Sequence, residues 1–245
     1  MTARRGARAR HDLAVTLLWL LALLAWDASG ADLALMHAVA SAQGFAWRDA
    51  WWARGLLHDG GRLLAGAVLL GLVAAAWRAP ARAAAPGTAG PCRGERVRWL
   101  AVTVLCLLAV PALKQLSLTS CPWDLAEFGG RAAYVPHWLP GVADGGPGRC
   151  FPSGHATAAF AFFGQFFLWR EHSPRRARAW LLGVLLAGAL FGGAQLLRGA
   201  HFASHTLWTA WLCWALAAAA AHNAGLARRR RSPPDDRAHR PHLEA

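Results

Sequence analysis

The chain has 245 residues, of which 56% are hydrophobic and 16% charged, with fourteen tryptophans against one tyrosine. That balance is too apolar for an ordinary soluble domain, and the length suits one medium domain or a small membrane bundle. A net charge of +13 suggests either nucleic acid or an anionic surface as a partner, so the position of the charge has to decide.

Six apolar runs follow one another, roughly Leu13–Ala31, Leu63–Trp77, Trp99–Leu113, Ala156–Trp169, Trp180–Leu197 and Thr206–Ala221. A spanning helix needs about 20 mostly apolar residues, so the second, third and fourth runs must recruit flanking residues. Six such runs would leave a soluble fold almost no polar surface. The expected architecture is an all-α, polytopic membrane protein built as a six-helix transmembrane bundle. Tryptophan fits this setting, because its ring prefers an apolar surround and its N–H a wet one.

With the N-terminus inside, the inside segments hold 19 of the 26 basic residues, while the outside segments hold seven basic and seven acidic ones. This is the positive-inside pattern, so the basic excess reads as a topology signal and no nucleic-acid partner is expected. Arginines followed by Leu13–Trp26 and Ala28-Ser29-Gly30 also resemble a secretory signal with its cleavage region. Cleavage would leave five spans and spoil the charge pattern, so an uncleaved first helix is favoured.

Between the first two runs, Trp47, Trp51, Leu56 and Leu57 suggest one side of an interfacial helix. The Ala-, Pro- and Gly-rich loop from Arg78 to Arg98 reads as a flexible linker. The expected domain covers residues 1–227. A basic disordered cytoplasmic tail, 228–245, follows, with its arginines held against anionic lipid.

Three polar islands fall at helix ends on the outer side. The first opens at Lys114, the single lysine among 26 basic residues. A lysine snorkelling at a helix end is the bland account, but a chain that uses arginine everywhere else favours a functional role. The second island is RCFPSGH, Arg149 to His155. Here Pro152 suits a helix start, Ser153 can cap it, and Gly154 lets an anion approach backbone N–H groups at a positive helix end. His155 follows in the first turn, placed to exchange a proton with whatever binds. The third island is QLLRGAHFASH, ending in His201 and His205, which share one helix face. Such a pair can be half of a metal site, a nucleophile with its helper, or two polar residues at a membrane surface. The position after His201 is Phe202, so the general-base glutamate of a His-Glu-x-x-His zinc site is absent.

Together these motifs resemble the type 2 phosphatidic acid phosphatase superfamily, the lipid phosphate phosphatases. Its membrane members have six helices and three motifs: Lys with Arg-Pro after six residues; Pro-Ser-Gly-His; and Ser-Arg, five residues, His, three residues, Asp. Lys114 is followed after six residues by Cys121-Pro122, and Pro152-Ser153-Gly154-His155 matches the second motif completely. In the third, His201 takes the place of the nucleophilic histidine and His205 that of the aspartate. The motifs extend from Lys114 to His205, and the first two helices match only as apolar spans. The first motif's arginine is Cys121 here, and the Ser-Arg pair falls on Ala194-Gln195. Arg198, one helical turn later, and Arg131 in the long loop are the candidate replacements.

The resemblance implies a metal-independent phosphatase with no cofactor and no metal. His201 would form a phosphohistidine and His155 act as acid and base, with His205 beside them. Lys114, Ser153, Gly154, Arg198 and Arg131 would hold phosphate. His205 brings no negative charge, and Asp124 or Glu127 is the expected source of it. Cys121 and Cys150, both outside and each beside a motif, are candidates for a disulfide. The expected partners are the membrane and a phosphorylated membrane lipid substrate, at the outer face of a bacterial inner membrane with both termini cytoplasmic. Two rival readings use the same scaffold: a non-catalytic lipid-phosphate binding or transport protein, and a lipid-to-lipid phosphotransferase.

Overall fold

The computed structural model describes residues 2–41, 43–81, 90–139 and 141–231. Helix α1, Thr2–Ala28, turns through Gly30 into a short α2, Ala31–Val39. A π-helical stretch, Trp52–Gly60, runs without a break into α3, Gly61–Arg78, and α4 covers Arg93–Leu116. After a long irregular loop come α5, Thr157–Phe160, α6, Phe163–Trp169, α7, Pro174–Leu197, and α8, Ala203–Arg231.

Four stretches are long and apolar enough to cross a membrane: Gly6–Ala28, Trp52–Arg78, Arg93–Leu116 and Pro174–Leu197. The second and third runs therefore recruit their flanks, as their length required. The stretch expected as an interfacial helix is instead a turn at 47–50 followed by the π-helical start of the second span. The fourth run does not form one spanning helix. It is broken between Phe160 and Phe163, and Thr157–Trp169 is shorter than a span. Its length is explained by its position, because α5 and α6 are packed against α4, α7 and α8 and bury Phe160, Phe163, Phe167 and Trp169. A side chain at Gly188 of α7 would put its Cβ 2.2 Å from the Phe160 ring, so α7 and α5 touch where glycine stands.

Outside this aromatic centre the bundle presents leucines. Leu18 and Leu21 of α1, Leu70 of α3, Leu108 of α4 and Leu186 of α7 are all exposed, as lipid-facing positions must be. Three tryptophans of α8 bind α1 by hydrogen bonds. Trp211 Nε1 donates to the Thr16 carbonyl at 3.0 Å, Trp214 Nε1 to Thr16 Oγ1 at 3.0 Å and Trp208 Nε1 to Asp27 Oδ2 at 2.9 Å. Between apolar helices such polar contacts hold the pair together, because hydrophobicity does not distinguish protein from lipid.

The two ends of the bundle differ in chemistry. At one end Arg170 Nη1 meets Asp12 Oδ1 at 2.8 Å, His172 meets Glu95 at 3.2 Å, and Arg8 pairs with Glu171. At the other end the loop after α4 folds over α2, burying Met36, Phe45, Leu125, Phe128 and Phe202 together. Two tail and linker expectations change. Helix α8 runs to Arg231, four residues into the segment assigned to the tail, and 232–245 lies outside the described residues. The linker is ordered at both ends, where Arg93 N–H donates to the Pro80 carbonyl at 2.9 Å and Arg93 Nη2 to the Trp77 carbonyl at 2.8 Å, while 82–89 lies outside the described residues.

Candidate active site

The three polar islands converge at the loop-covered end. Lys114 stands in the last turn of α4, and its Cδ lies 3.7 Å from where a Cβ on Gly154 would be. The lysine stem thus lies against the Pro-Ser-Gly-His turn at ordinary van der Waals distance. Cys121 and Cys150 form a disulfide with their Cα atoms 5.2 Å apart, joining the lysine loop to the Pro-Ser-Gly-His turn. Trp123 N–H donates to the Gly199 carbonyl at 2.9 Å and so ties the same loop to the third island.

Helix α7 ends in a way that places His201. Gly199 takes φ +72°, Gly199 N–H donates to Leu196 and Ala200 N–H to Gln195. These two bonds form a Schellman closure, which needs a left-handed residue and so favours glycine. A Cβ at 199 would also meet the Phe45 ring at 2.3 Å. The chain then turns back so that His201 is buried before α8 begins at Ala203. The α8 N-terminus is capped from a distance, since Asp32 Oδ1 accepts from Ser204 N–H at 3.0 Å and Asp32 Oδ2 from Ser204 Oγ.

The histidine rings form one cluster. His155 and His201 have ring centroids 5.9 Å apart, and His201 and His205 5.8 Å. His201 Nδ1 rests 3.4 Å from the disulfide sulfur of Cys150, which leaves Nε2 as the nitrogen open to a ligand. Ser153 Oγ, His155 Nδ1 and both ring nitrogens of His205 are buried without a hydrogen-bond partner among the described residues. Buried polar atoms are costly to leave unmatched, and this group of them marks where a polar ligand belongs.

Several sequence expectations change in detail. Ser153 is not a helix cap, because α5 begins only at Thr157 and Ser153 N–H donates to the His205 carbonyl at 3.1 Å. That N–H is therefore unavailable to phosphate, whereas the hydroxyl is free. Arg198 caps the end of α7. Its Nε donates to the Arg48 carbonyl at 2.8 Å and its Nη1 to Gln195 Oε1 at 3.3 Å, which fixes the guanidinium beside the site. Arg131 is exposed on the loop and makes no contact with the histidines among the described residues. Asp124 and Glu127 do not reach His205. Glu127 pairs with His37 at 3.0 Å, and Asp124 Oδ2 accepts from Trp123 Nε1 at 3.1 Å. Instead His137, from the loop, lies with its ring centroid 5.5 Å from that of His205, and its Nε2 is 3.4 Å from Asp27 Oδ2. A carboxylate from α1 thus approaches His137, the histidine that packs against His205.

Reading the sequence missed His58, whose ring centroid is 4.0 Å from that of His155. Its signal in the sequence is the cluster His58-Asp59-Gly60-Gly61-Arg62 at the mouth of an apolar run. Among the described residues two donor groups have the spacing to hold a metal ion. One is Cys121, Cys150 and His201, whose sulfurs are joined to each other, and the other is Asp27, Asp32 and His137. His155, His201 and His205 do not form such a group.

Burial pushes the His155 imidazole down to about 3, with His58, Lys114, Arg62 and Arg198 adding positive charge against its protonation. His201 is held well below the usual range, first by burial and then by His205, His155 and Lys114, while the main chain of Cys150 opposes the shift. Burial alone lowers His137 to about 4. Burial thus holds these rings neutral at pH 7, the form in which an imidazole keeps a nitrogen lone pair free. The same shifts make stability depend on pH. An unfolded histidine takes up its proton near 6.5, whereas in the folded chain His137 does so at about 4, His155 at about 3 and His201 well below the usual range. Stability is therefore full above 6.5 and is lost as pH falls from 6.5 toward 3. The thermal midpoint in detergent should be lower at pH 5 than at pH 7.5. A midpoint unchanged between them would mean these rings are not held neutral.

The comparisons with known proteins point the same way. No curated protein sequence matches the chain. A solved structure, described as the first transmembrane PAP2 type phosphatidylglycerolphosphate phosphatase, from Bacillus subtilis, is similar with a TM-score of 0.51. The two are 17% identical, and the likeness covers 91% of this chain and 98% of that one. The fold is thus that of a multi-pass membrane phosphatase. The family model of the PAP2 superfamily matches residues 96–229, a stretch that holds Lys114, the Pro-Ser-Gly-His turn and both histidines of the third island, so the chain belongs to the PAP2 superfamily.

Proposed function

We propose that this protein removes a phosphate from a membrane lipid through a phosphohistidine on His201, without a metal ion. The observation that carries the reading is the meeting of Lys114, His155, His201 and Arg198 around unpartnered buried polar atoms. His201 Nε2 attacks phosphorus, a new P–N bond forms and the P–O bond to the lipid breaks. His155 gives its proton to the departing oxygen. Water then attacks phosphorus, His155 takes the proton from it, and inorganic phosphate leaves with His201 restored. Burial favours the neutral form of His155, but a phosphate dianion beside it favours its charged form, so substrate and catalytic proton enter together. Lys114, Arg198 and Ser153 Oγ stabilise the equatorial oxygens, where phosphoryl transfer gains most of its rate.

The substrate class is a lipid phosphomonoester or diphosphate. The solved relative is described as acting on phosphatidylglycerolphosphate, and phosphatidate, undecaprenyl diphosphate and lipid A are the other candidates. The proposed topology has six spans in a bacterial inner membrane, with α5–α6 and α8 completing the four long helices, the termini cytoplasmic and the site outward. Cys121 and Gln195, where the family has arginines, favour the rival reading of a binding protein. The test is phosphate release from a panel of lipid phosphates by the detergent-purified protein with excess EDTA, together with capture of radiolabelled phosphate on histidine after an acid-free quench. EDTA-resistant release with label on His201 supports the proposal. Release abolished by EDTA, or lipid binding without release, rejects it. Label passing to a second lipid instead of water identifies a phosphotransferase.

A further inference from the structure

His58 lies outside the region that matches the family, on the π-helical stretch Trp52–Gly60 that leads into α3. A π-turn widens a helix by one residue and is found most often at functional sites. Here it brings the His58 ring to 4.0 Å from that of His155, tilted by 45°. His58 Nδ1 is 2.6 Å from Asp59 Oδ1. Among the described residues no group hydrogen-bonds the His58 Nε2, so that nitrogen is left for a ligand. The side chain of His58 is 20% exposed and that of Asp59 60%, which sets the pair at the mouth of the site with the carboxylate toward water.

Arg62 follows four residues after His58, at the start of α3, and its charge reaches His155. Arg54 and Arg62 on the same helix act on Asp59, and Lys114 from α4 and Arg198 from α7 act with His58 and Arg62 on His155 across the site. Phosphate chemistry in this site calls for more positive charge than Lys114 and Arg198 alone, because two positions that carry arginine in related motifs are Cys121 and Gln195.

We propose that His58, held by Asp59, is a third histidine of the phosphate site, and that with Arg62 it supplies the positive charge missing at positions 121 and 195. The inference rests on the phosphatase reading and assigns it two residues from the second span. Between the Asp59 carboxylate and a bound phosphoryl group, His58 acts as an imidazolium. It donates Nδ1–H to Asp59 and Nε2–H to a phosphoryl oxygen, taking up one proton from solvent as the anion enters. Asp59 is then a positioning residue, which holds the ring so that Nε2 faces the anion.

The test uses the full chain in detergent and orthovanadate as the phosphate probe, read as inhibition of phosphate release and as direct binding. Hydrogen bonds to charged groups in such sites are worth about 1.5–3 kcal/mol, so His58→Ala should weaken orthovanadate binding by roughly 10–100-fold. Arg62→Ala should weaken it less, by about 2–5-fold for a more exposed charge. His58→Arg should recover most of the affinity and His58→Gln should not, a contrast that a merely structural role would not produce. Leu56→Ala, exposed on the same stretch, should bind as wild type does. If His58→Ala does not fold, His58→Gln decides, since it nearly preserves the size of the ring. Wild-type-like binding in His58→Ala or His58→Gln, with the wild-type chain releasing phosphate, overturns the inference and leaves the phosphatase reading intact. A wild-type chain that neither binds orthovanadate nor releases phosphate removes both.

Discussion

His201→Ala is expected to lower phosphate release by about 10⁴-fold or more, the scale seen when a covalent nucleophile is removed, while leaving the fold in place. His201 is 2% exposed, but it sits in the link between α7 and α8 rather than in a helix. Its ring touches the disulfide sulfur and two other imidazoles rather than the aromatic core. The lost packing is therefore local, and the Gly199 turn that shapes the link does not depend on the imidazole. His205→Ala should cost much less, about 10–100-fold, because the Cys150 main chain and sulfur still support His201 from the other side. Equal losses in the two variants would mean that His205 takes a direct chemical part. Phosphate release persisting in His201→Ala would move the nucleophile elsewhere.

The second large effect concerns the disulfide. Replacing Cys121 and Cys150 by serine is expected to destabilise the chain by roughly 3–4 kcal/mol, from the closure entropy of the loop between them. For a chain of this size that corresponds to a fall of about 6–16 °C in the thermal midpoint. Activity should fall as well, because Cys150 Sγ lies 3.4 Å from His201 Nδ1 and 3.1 Å from the Ala200 carbonyl, so the bridge also forms the wall behind the nucleophile. Cys92→Ser, at the N-cap of α4 where a serine hydroxyl serves the same capping role, should lower neither quantity. The measurements are thermal midpoint and phosphate release with and without dithiothreitol. A double-serine protein as active and as stable as wild type would show that the buried backbone contacts alone hold the loop.

What the sequence determined by itself is whatever depends on short-range pattern or on the bilayer. Apolar run lengths, the asymmetric placement of arginine and the Lys114, Pro-Ser-Gly-His and His201/His205 motifs pointed to an all-helical membrane protein of the PAP2 superfamily. They also placed its polar islands at one end, because a span's composition answers to lipid whatever its neighbours are. The tertiary structure decided the rest. The fourth apolar run reads like a span, but α4, α7 and α8 surround it, so it is core and is broken at Ala161-Phe162. Ser153 reads as a cap, yet its N–H is engaged by His205, 52 positions away in the chain. Asp124 and Glu127 are close in sequence to the motifs and have other partners, while Asp27, Asp32, His58 and Arg62, far away in sequence, border the histidines or hold their helix. The physical reason is that the motifs carry the local chemistry of the candidate site. The charges that tune it act through space, and their positions depend on how α1, the π-helical turn and the long loop pack against α7 and α8.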